Sequence, residues 1–294
     1  MEMTLKDLRD NFLRVGYICD EEVALTVYLA MKLNKPILIE GPPGVGKTEM
    51  GKVLAEIFET ELIRLQCYEG LDENKALYEW NYQRQLLKIQ ISKEAGLQAD
   101  LEGDLFSPEY LLMRPLLKAI SSEKRPVLLI DEVDKCDEEF EAFLFEVLSD
   151  FQVSVPELGT LKAREIPIVI LTSNNERELS DGLKRRCVFL YLDYPELQRE
   201  ITIIRARIPG IEERLTAQVA RAVKILRESP DIKKKPSIAE TLDWTRALVA
   251  LNADRLDPKV VSQTMNLLLK TKADLDAFRR NLGPGTLCEM ASTS

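Results

Sequence analysis

Residues Gly41-Pro42-Pro43-Gly44-Val45-Gly46-Lys47-Thr48 follow the apolar run Ile37-Leu38-Ile39 and precede Met50, Val53, Leu54, Ile57 and Phe58, which recur at helical spacing. A glycine-rich turn between a buried strand and an amphipathic helix, closed by Gly-Lys-Thr, is a pattern that cradles phosphate groups. Its glycines let successive backbone N–H groups curl around an anion, and the helix opening near Lys47 turns its positive end toward that anion. Lys47 is placed to neutralise β and γ phosphates. Thr48 offers a hydroxyl to magnesium, which takes hard oxygen ligands and retains several waters. Together with Glu49, which follows in the helix, positions 41–49 are read as the segment that holds ATP and Mg2+.

The acidic partner that such a loop requires stands at the end of the apolar run Val127-Leu128-Leu129-Ile130, as Asp131-Glu132. Asp131 is assigned to hold the magnesium through water, and Glu132 to polarise the attacking water as general base. A third run, Ile168-Val169-Ile170-Leu171-Thr172-Ser173, ends in Asn174-Asn175. There Asn174 either orients that water or simply forms the turn. Leu183-Lys184-Arg185-Arg186-Cys187 then offers two readings: an arginine (Arg185 or Arg186) supplied to a neighbouring copy's nucleotide, or a basic helix end facing solvent.

Working outward, five short apolar runs bounded by helical patterns, at 37–39, 62–65, 127–130, 168–172 and 188–192, read as buried parallel strands. Alternating strands and helices predict a doubly wound α/β P-loop domain over residues 1–195. From Pro195 onward the pattern is helical only, which predicts a small α-helical lid domain over residues 196–294. Leu5, Leu8, Phe12, Val23, Val27 and Leu29 predict an amphipathic opening helix, and the tail after Asn281 is expected to fray. Two insertions interrupt the first domain. Residues 68–104 exceed a usual connection, and 151–164 carry Val153, Val155, Pro156 and Gly159 in a hairpin-like pattern. Tyr78, Trp80 and Tyr82 alternate with polar residues, as an exposed strand facing a partner or as core packing.

Composition narrows the function classes. A net charge of -9 argues against a nucleic-acid backbone as the dominant partner, because counterion release needs clustered Lys and Arg. The one notable basic run, Lys233-Lys234-Lys235, reads as a solvated loop. Five cysteines without a CxxC pair suggest neither a disulfide framework nor a zinc site, and the absence of histidine leaves base chemistry to carboxylates. No apolar run approaches the roughly 18 residues that span a bilayer, and the opening residues lack an apolar signal core, so a cytoplasmic protein with no membrane contact is expected.

Taken together, the loop at 41–48, the acids at 131 and 132, Asn174, the arginines at 185 and 186 and the helical C-terminal region resemble the AAA+ ATPases. The resemblance implies a homo-oligomeric ring, usually a hexamer, with ATP bound between subunits. Two insertions, one after the second strand and one hairpin before the Asn174 strand, resemble the MoxR branch. The stretches 64–72, 78–82, 103–110 and 236–244 are similar to CoxD-type members, which are associated with maturing molybdenum-containing carbon monoxide dehydrogenases and related hydroxylases. The resemblance also implies a von Willebrand factor A domain protein as partner and a metalloenzyme as client. One departure is visible. Many AAA+ lids present an arginine to the γ-phosphate, whereas 236–240 contain none and Arg246 lies about two turns later.

These readings lead to an ATP-hydrolysing, chaperone-like remodeller of a partner protein. The alternatives are an ATPase acting on nucleic acid, and a nucleotide-gated scaffold with little turnover.

Overall fold

The computed structural model describes residues 3–94, 105–155 and 159–292 of the 294. In chain order the helices are α1 (Leu5–Arg14), α2 (Glu21–Lys32), α3 (Lys47–Ile57), α4 (Glu73–Ala76), α5 (Tyr82–Glu94), α6 (Pro115–Ser121), α7 (Glu138–Asp150) and α8 (Asp181–Arg186), then α9 (Leu197–Arg207), α10 (Glu213–Glu228), α11 (Ile238–Ala250), α12 (Pro258–Thr264), α13 (Lys272–Ala277) and α14 (Gly283–Ser292). The strands are β1 (Ile37–Glu40), β2 (Leu62–Gln66), β3 (Tyr78–Trp80), β4 (Leu111–Met113), β5 (Val127–Asp131), β6 (Gln152–Val155), β7 (Gly159–Lys162), β8 (Ile168–Ser173) and β9 (Val188–Tyr191). Contacts group the chain into two compact units. One comprises Glu21–Glu40 and Thr48–Tyr191, the other Met1–Asp20, Gly41–Lys47 and Leu192–Ser294.

In the first unit a five-stranded sheet has the order β2-β5-β8-β1-β9, every neighbouring pair parallel. The central strands β5 and β8 are buried along their whole length, which is why they read as unbroken apolar runs. Leu38, Leu128, Ile130 and Leu171 contribute to the core, together with Leu144 and Val147 of α7 and Leu116 and Leu117 of α6. Parallel strands align their carboxyl ends, so Glu40, Gln66, Asp131 and Ser173 close the same edge of the sheet.

Both predicted insertions are visible in part. β6 and β7 pair antiparallel, as expected of a hairpin, with residues 156–158 outside the described ones. In the first insertion β3 pairs antiparallel with β4, which lies beyond the expected end at residue 104, Tyr78 opposite Met113 and Trp80 opposite Leu111, and residues 95–104 lie outside the described ones. The three aromatics do not share one environment: Tyr78 is half-buried against the core, and Tyr82 lies in a helix rather than in the expected strand. Trp80 is buried edge-on against Phe106, with ring centroids 5.3 Å apart, whereas Tyr82 opens α5 and is 62% exposed.

The expected single opening helix is two: α1 ends before Gly16 (φ 71), where a left-handed turn favours glycine, and Val23, Val27 and Leu29 belong to α2. Asp20 is ion-paired to Arg199 of α9. The helices from α9 onward bury one face each around Trp244, Val219, Val223, Leu226 and Leu268. On α11, where helical spacing predicts Leu242, Leu248 and Val249 to face inward, the buried residues are Thr241, Trp244, Thr245 and Leu248, with Leu242 half-buried and Val249 exposed, a rotation of that face. The indole N–H of Trp244 donates to Thr264 Oγ1 at 2.8 Å, which satisfies the one polar group of this buried side chain.

Among the described residues, which run to Ser292, the expected fraying after Asn281 is not seen. Gly283 (φ 72) closes the turn Phe278–Leu282, and Pro284 sits in the first turn of α14, where a missing N–H is tolerated. Leu287, Cys288 and Ala291 then share one buried face, and α14 packs on α10. The run at 233–235 is also tied down: the Lys233 and Lys234 amides donate to the carboxylate of Asp274, at 2.8 and 3.3 Å.

A buried ion pair ties three of these helical segments together. Arg227 grips Glu200 through two bonds of 2.6 and 2.9 Å, donates to Pro236 O at 2.8 Å, and lies 4.6 Å from the Tyr194 ring centroid. Burial pushes the Glu200 carboxyl up, and Arg227 opposes that shift. Truncating one partner of a buried pair leaves the other charge uncompensated. Arg227→Ala is therefore expected to destabilise this unit by about 3–5 kcal/mol, read as a lowered denaturant midpoint.

Candidate functional site

The glycine-rich loop continues directly from β1 into α3. Lys47 is 6% exposed, and its ammonium donates to the carbonyls of Gly41 and Pro42 at 2.6 and 2.8 Å. The spacing of the motif has a packing cause beyond phosphate contact. A Cβ on Gly41 would lie 2.0 Å from the Leu192 carbonyl oxygen. A Cβ on Gly44 (φ 75) would lie 2.4 Å from Ser237 Cβ. Both positions must therefore lack a side chain whether or not an anion is bound. Ser237 is itself the N-cap of α11, in a reciprocal capping box with Glu240. Val45 is buried beneath the loop, Pro42 is half-buried, and Pro43 is exposed. Glu49 pairs with Lys52 at 3.2 Å on α3.

Thr48 and Asp131, 83 residues apart in the chain, meet: the Thr48 hydroxyl donates to Asp131 Oδ1 at 2.9 Å. Thr172 Oγ1 donates to the same oxygen at 2.5 Å, and the Glu132 amide donates to Thr172 Oγ1 at 2.9 Å. Asp131 is 2% exposed, so its orientation is set by these bonds rather than by solvent. Arg64 takes the other carboxylate oxygen, Oδ2. Glu132 has left-handed backbone (φ 58, ψ 50), a conformation uncommon outside glycine and a frequent mark of functional turns. Its Oε2 accepts from Gln66 Nε2 at 2.8 Å and Lys135 Nζ at 2.7 Å. That hydrogen bond raises the pKa of Lys135, keeping it charged.

Asn174 follows β8, and its amide N–H donates to Asp134 Oδ2 at 3.0 Å; the amide of Glu176 joins it at 2.9 Å. Asp134, 4% exposed, thus fixes the turn that carries Asn174. Arg185 and Arg186 close α8, both exposed. The Arg186 guanidinium sits over the Phe145 ring at 4.5 Å, and among the described residues no ion pair joins either arginine to Asp131 or Glu132 of the same chain. Arg246 pairs with Asp243 at 3.0 Å on the exposed face of α11.

Four side chains at this edge were not foreseen from the sequence: Arg64, Gln66, Thr172 and Lys135. A signal for two of them exists, since β2 alternates buried Ile63 and Leu65 with exposed Arg64 and Gln66. Register then sets Gln66 opposite Asp131. Magnesium fits the donor set. Thr48 and Asp131 offer two hard oxygens side by side, and among the described residues no cluster of three or more carboxylate, thiol or imidazole ligands would cage a metal. A cation here would complete its shell with water and phosphate.

A strand-loop-helix anion cradle, a paired hydroxyl and carboxylate and a neighbouring glutamate at the carboxyl edge of a parallel sheet define a P-loop nucleoside triphosphatase. The chain belongs to the AAA domain family (dynein-related subfamily), whose model matches residues 36–187, and it is accordingly an ATPase. Among its relatives is an uncharacterised protein of Staphylococcus aureus, 25% identical over 226 residues and covering 74% of this chain and 77% of the relative. RuvB of Thermotoga petrophila, a Holliday junction branch migration complex subunit, is 23% identical over 300 aligned residues, covering 96% of this chain and 77% of that protein. A solved structure of a Thermotoga maritima RuvB mutant shares the fold, with TM-score 0.51 at 17% identity over 93% of this chain and 73% of that one.

Proposed function

We propose that the chain is a MoxR-type AAA+ ATPase that hydrolyses Mg-ATP in a homo-oligomeric, hexameric ring to remodel or mature a partner protein. The observation that carries the hydrolytic part is the convergence of the Thr48 and Thr172 hydroxyls on Asp131 with Glu132 beside it. Gly41 to Gly46 would hold the phosphates through backbone N–H groups, Lys47 would neutralise them, and Thr48 with Asp131 would hold the magnesium, which supplies charge neutralisation when bound. Glu132 would take a proton from the attacking water, Asn174 would orient it, and Arg185 or Arg186 of a neighbouring copy would neutralise charge on the far side.

The insertions support a protein as the object of that work. α5 buries Gln85 and Ser92 and exposes Leu86, Leu87 and Ile91, the reverse of a helix packed only on its own core. Beside it a cavity of about 780 Å³ is lined by Tyr68, Asp72, Lys75, Glu79, Tyr82 and Arg114, aromatic and charge-balanced rather than basic. A metalloenzyme client and a von Willebrand factor A domain partner follow from the CoxD-type resemblance. The likeness to RuvB favours a second reading, action on a nucleic acid, against which the net charge of -9 weighs.

One experiment separates these. Oligomer mass with and without ATP, followed alongside phosphate release in the presence of branched DNA, is expected to show nucleotide-dependent assembly and turnover that DNA leaves unchanged. Salt-dependent DNA binding with stimulated hydrolysis would establish the second reading instead. Assembly without phosphate release would leave a nucleotide-gated scaffold.

A further inference from the structure

Arg64 lies in the middle of the edge strand β2, beside β5, with a side chain 51% exposed. Strand alternation sends it and Gln66 to the same side, and register places them opposite Leu129 and Asp131. The guanidinium spans both partners, donating to Asp131 Oδ2 and to Gln66 Oε1 at 2.5 Å. The two oxygens of Asp131 are therefore divided. Oδ1 faces the hydroxyls of Thr48 and Thr172, and Oδ2 faces a fixed cation. The Asp131 side chain is only 3% exposed, and a carboxylate so buried is stable only with a counter-charge.

We propose that Arg64 is the built-in counter-cation of Asp131, that it competes with magnesium for this carboxylate, and that it thereby sets the magnesium concentration at which nucleotide binding becomes metal-dependent. The proposal rests on Thr48 and Asp131 being the magnesium pair. The physical ground is that a guanidinium in contact with a carboxylate repels a divalent cation approaching the same group and occupies one of its acceptor oxygens. Arg64 is a positioning residue in this scheme: it holds Asp131 while no metal does, and lowers the affinity of the pair for metal. Gln66, bound to both Arg64 and Glu132, links the two acids through one strand.

The test uses the full chain and a fluorescent N-methylanthraniloyl derivative of ADP, titrated with Mg2+ from excess chelator, so that no turnover enters the readout. In Arg64→Met the magnesium midpoint is expected to fall by about 3- to 10-fold, as removal of one neighbouring positive charge at partly solvated distance requires. Nucleotide affinity in chelator should stay close to that of the unaltered protein. Arg64→Lys, which keeps the charge, should stay near the original midpoint. A midpoint in Arg64→Met that is unchanged or raised overturns the proposal while leaving the magnesium pair in place. Absence of any magnesium dependence in the unaltered protein overturns the assignment of Thr48 and Asp131, and the proposal with it. If Arg64→Met fails to fold, Arg64→Gln carries the same test.

Discussion

Glu132→Gln is expected to bind ATP as well as the unaltered protein and to release phosphate roughly 10²–10⁴-fold more slowly, the usual cost of losing a positioned general base. The backbone argues that the effect will be confined to chemistry. Glu132 is held left-handed by the donation of its amide to Thr172, a contact that glutamine retains. The amide oxygen of glutamine can still accept from Gln66 and Lys135, which now bond to Oε2. What it cannot do is accept the proton of water. Nucleotide affinity and phosphate release measured on the same preparation test this directly, and undiminished turnover would remove Glu132 from its assigned role.

Arg185→Ala is expected to reduce turnover by about 10³-fold or more, the scale on which an arginine supplied from outside the site stabilises transferring phosphate. Arg186→Ala is expected to cost less. Both side chains leave the last turn of α8, but Arg186 is engaged over Phe145, a contact worth about 0.5–1 kcal/mol at an exposed site. Arg185 makes no such contact among the described residues. Steady-state rates of the two variants at equal oligomer concentration separate them, and a larger loss for Arg186→Ala would reverse the assignment.

Much of the sheet was legible because its three inner strands are buried on both faces. Apolar runs at β1, β5 and β8 have no competing interpretation once the glycine-rich loop anchors the first of them. The loop and the acids were legible for the same reason, since each stands where a buried strand stops. Three features were not. α14 begins with Gly283-Pro284-Gly285, which reads as a breaker until its buried face on α10 is seen. The rotation of α11 goes with the burial of Trp244 and its hydrogen bond to Thr264, long-range contacts that local periodicity does not contain. Arg64 and Gln66 acquire meaning only from the register of β2 against β5, because alternation alone gives a side of the strand and not a neighbour. The reason for glycine at 41 and 44 was likewise only half visible. Phosphate access is written in the motif, but the close approach of Leu192 and Ser237 is not.

In the proposed ring each ATP site is completed by a second copy of the chain, with Glu132 acting within a subunit and Arg185 across the boundary. The most direct measurement is phosphate release from mixtures of Glu132→Gln and Arg185→Ala proteins, each strongly slowed alone. A boundary between the two variants can join an intact Glu132 to an intact Arg185. Activity is therefore predicted to reappear on mixing and to peak near equal proportions. No activity at any ratio, with both proteins binding ATP and assembling together, would contradict the account.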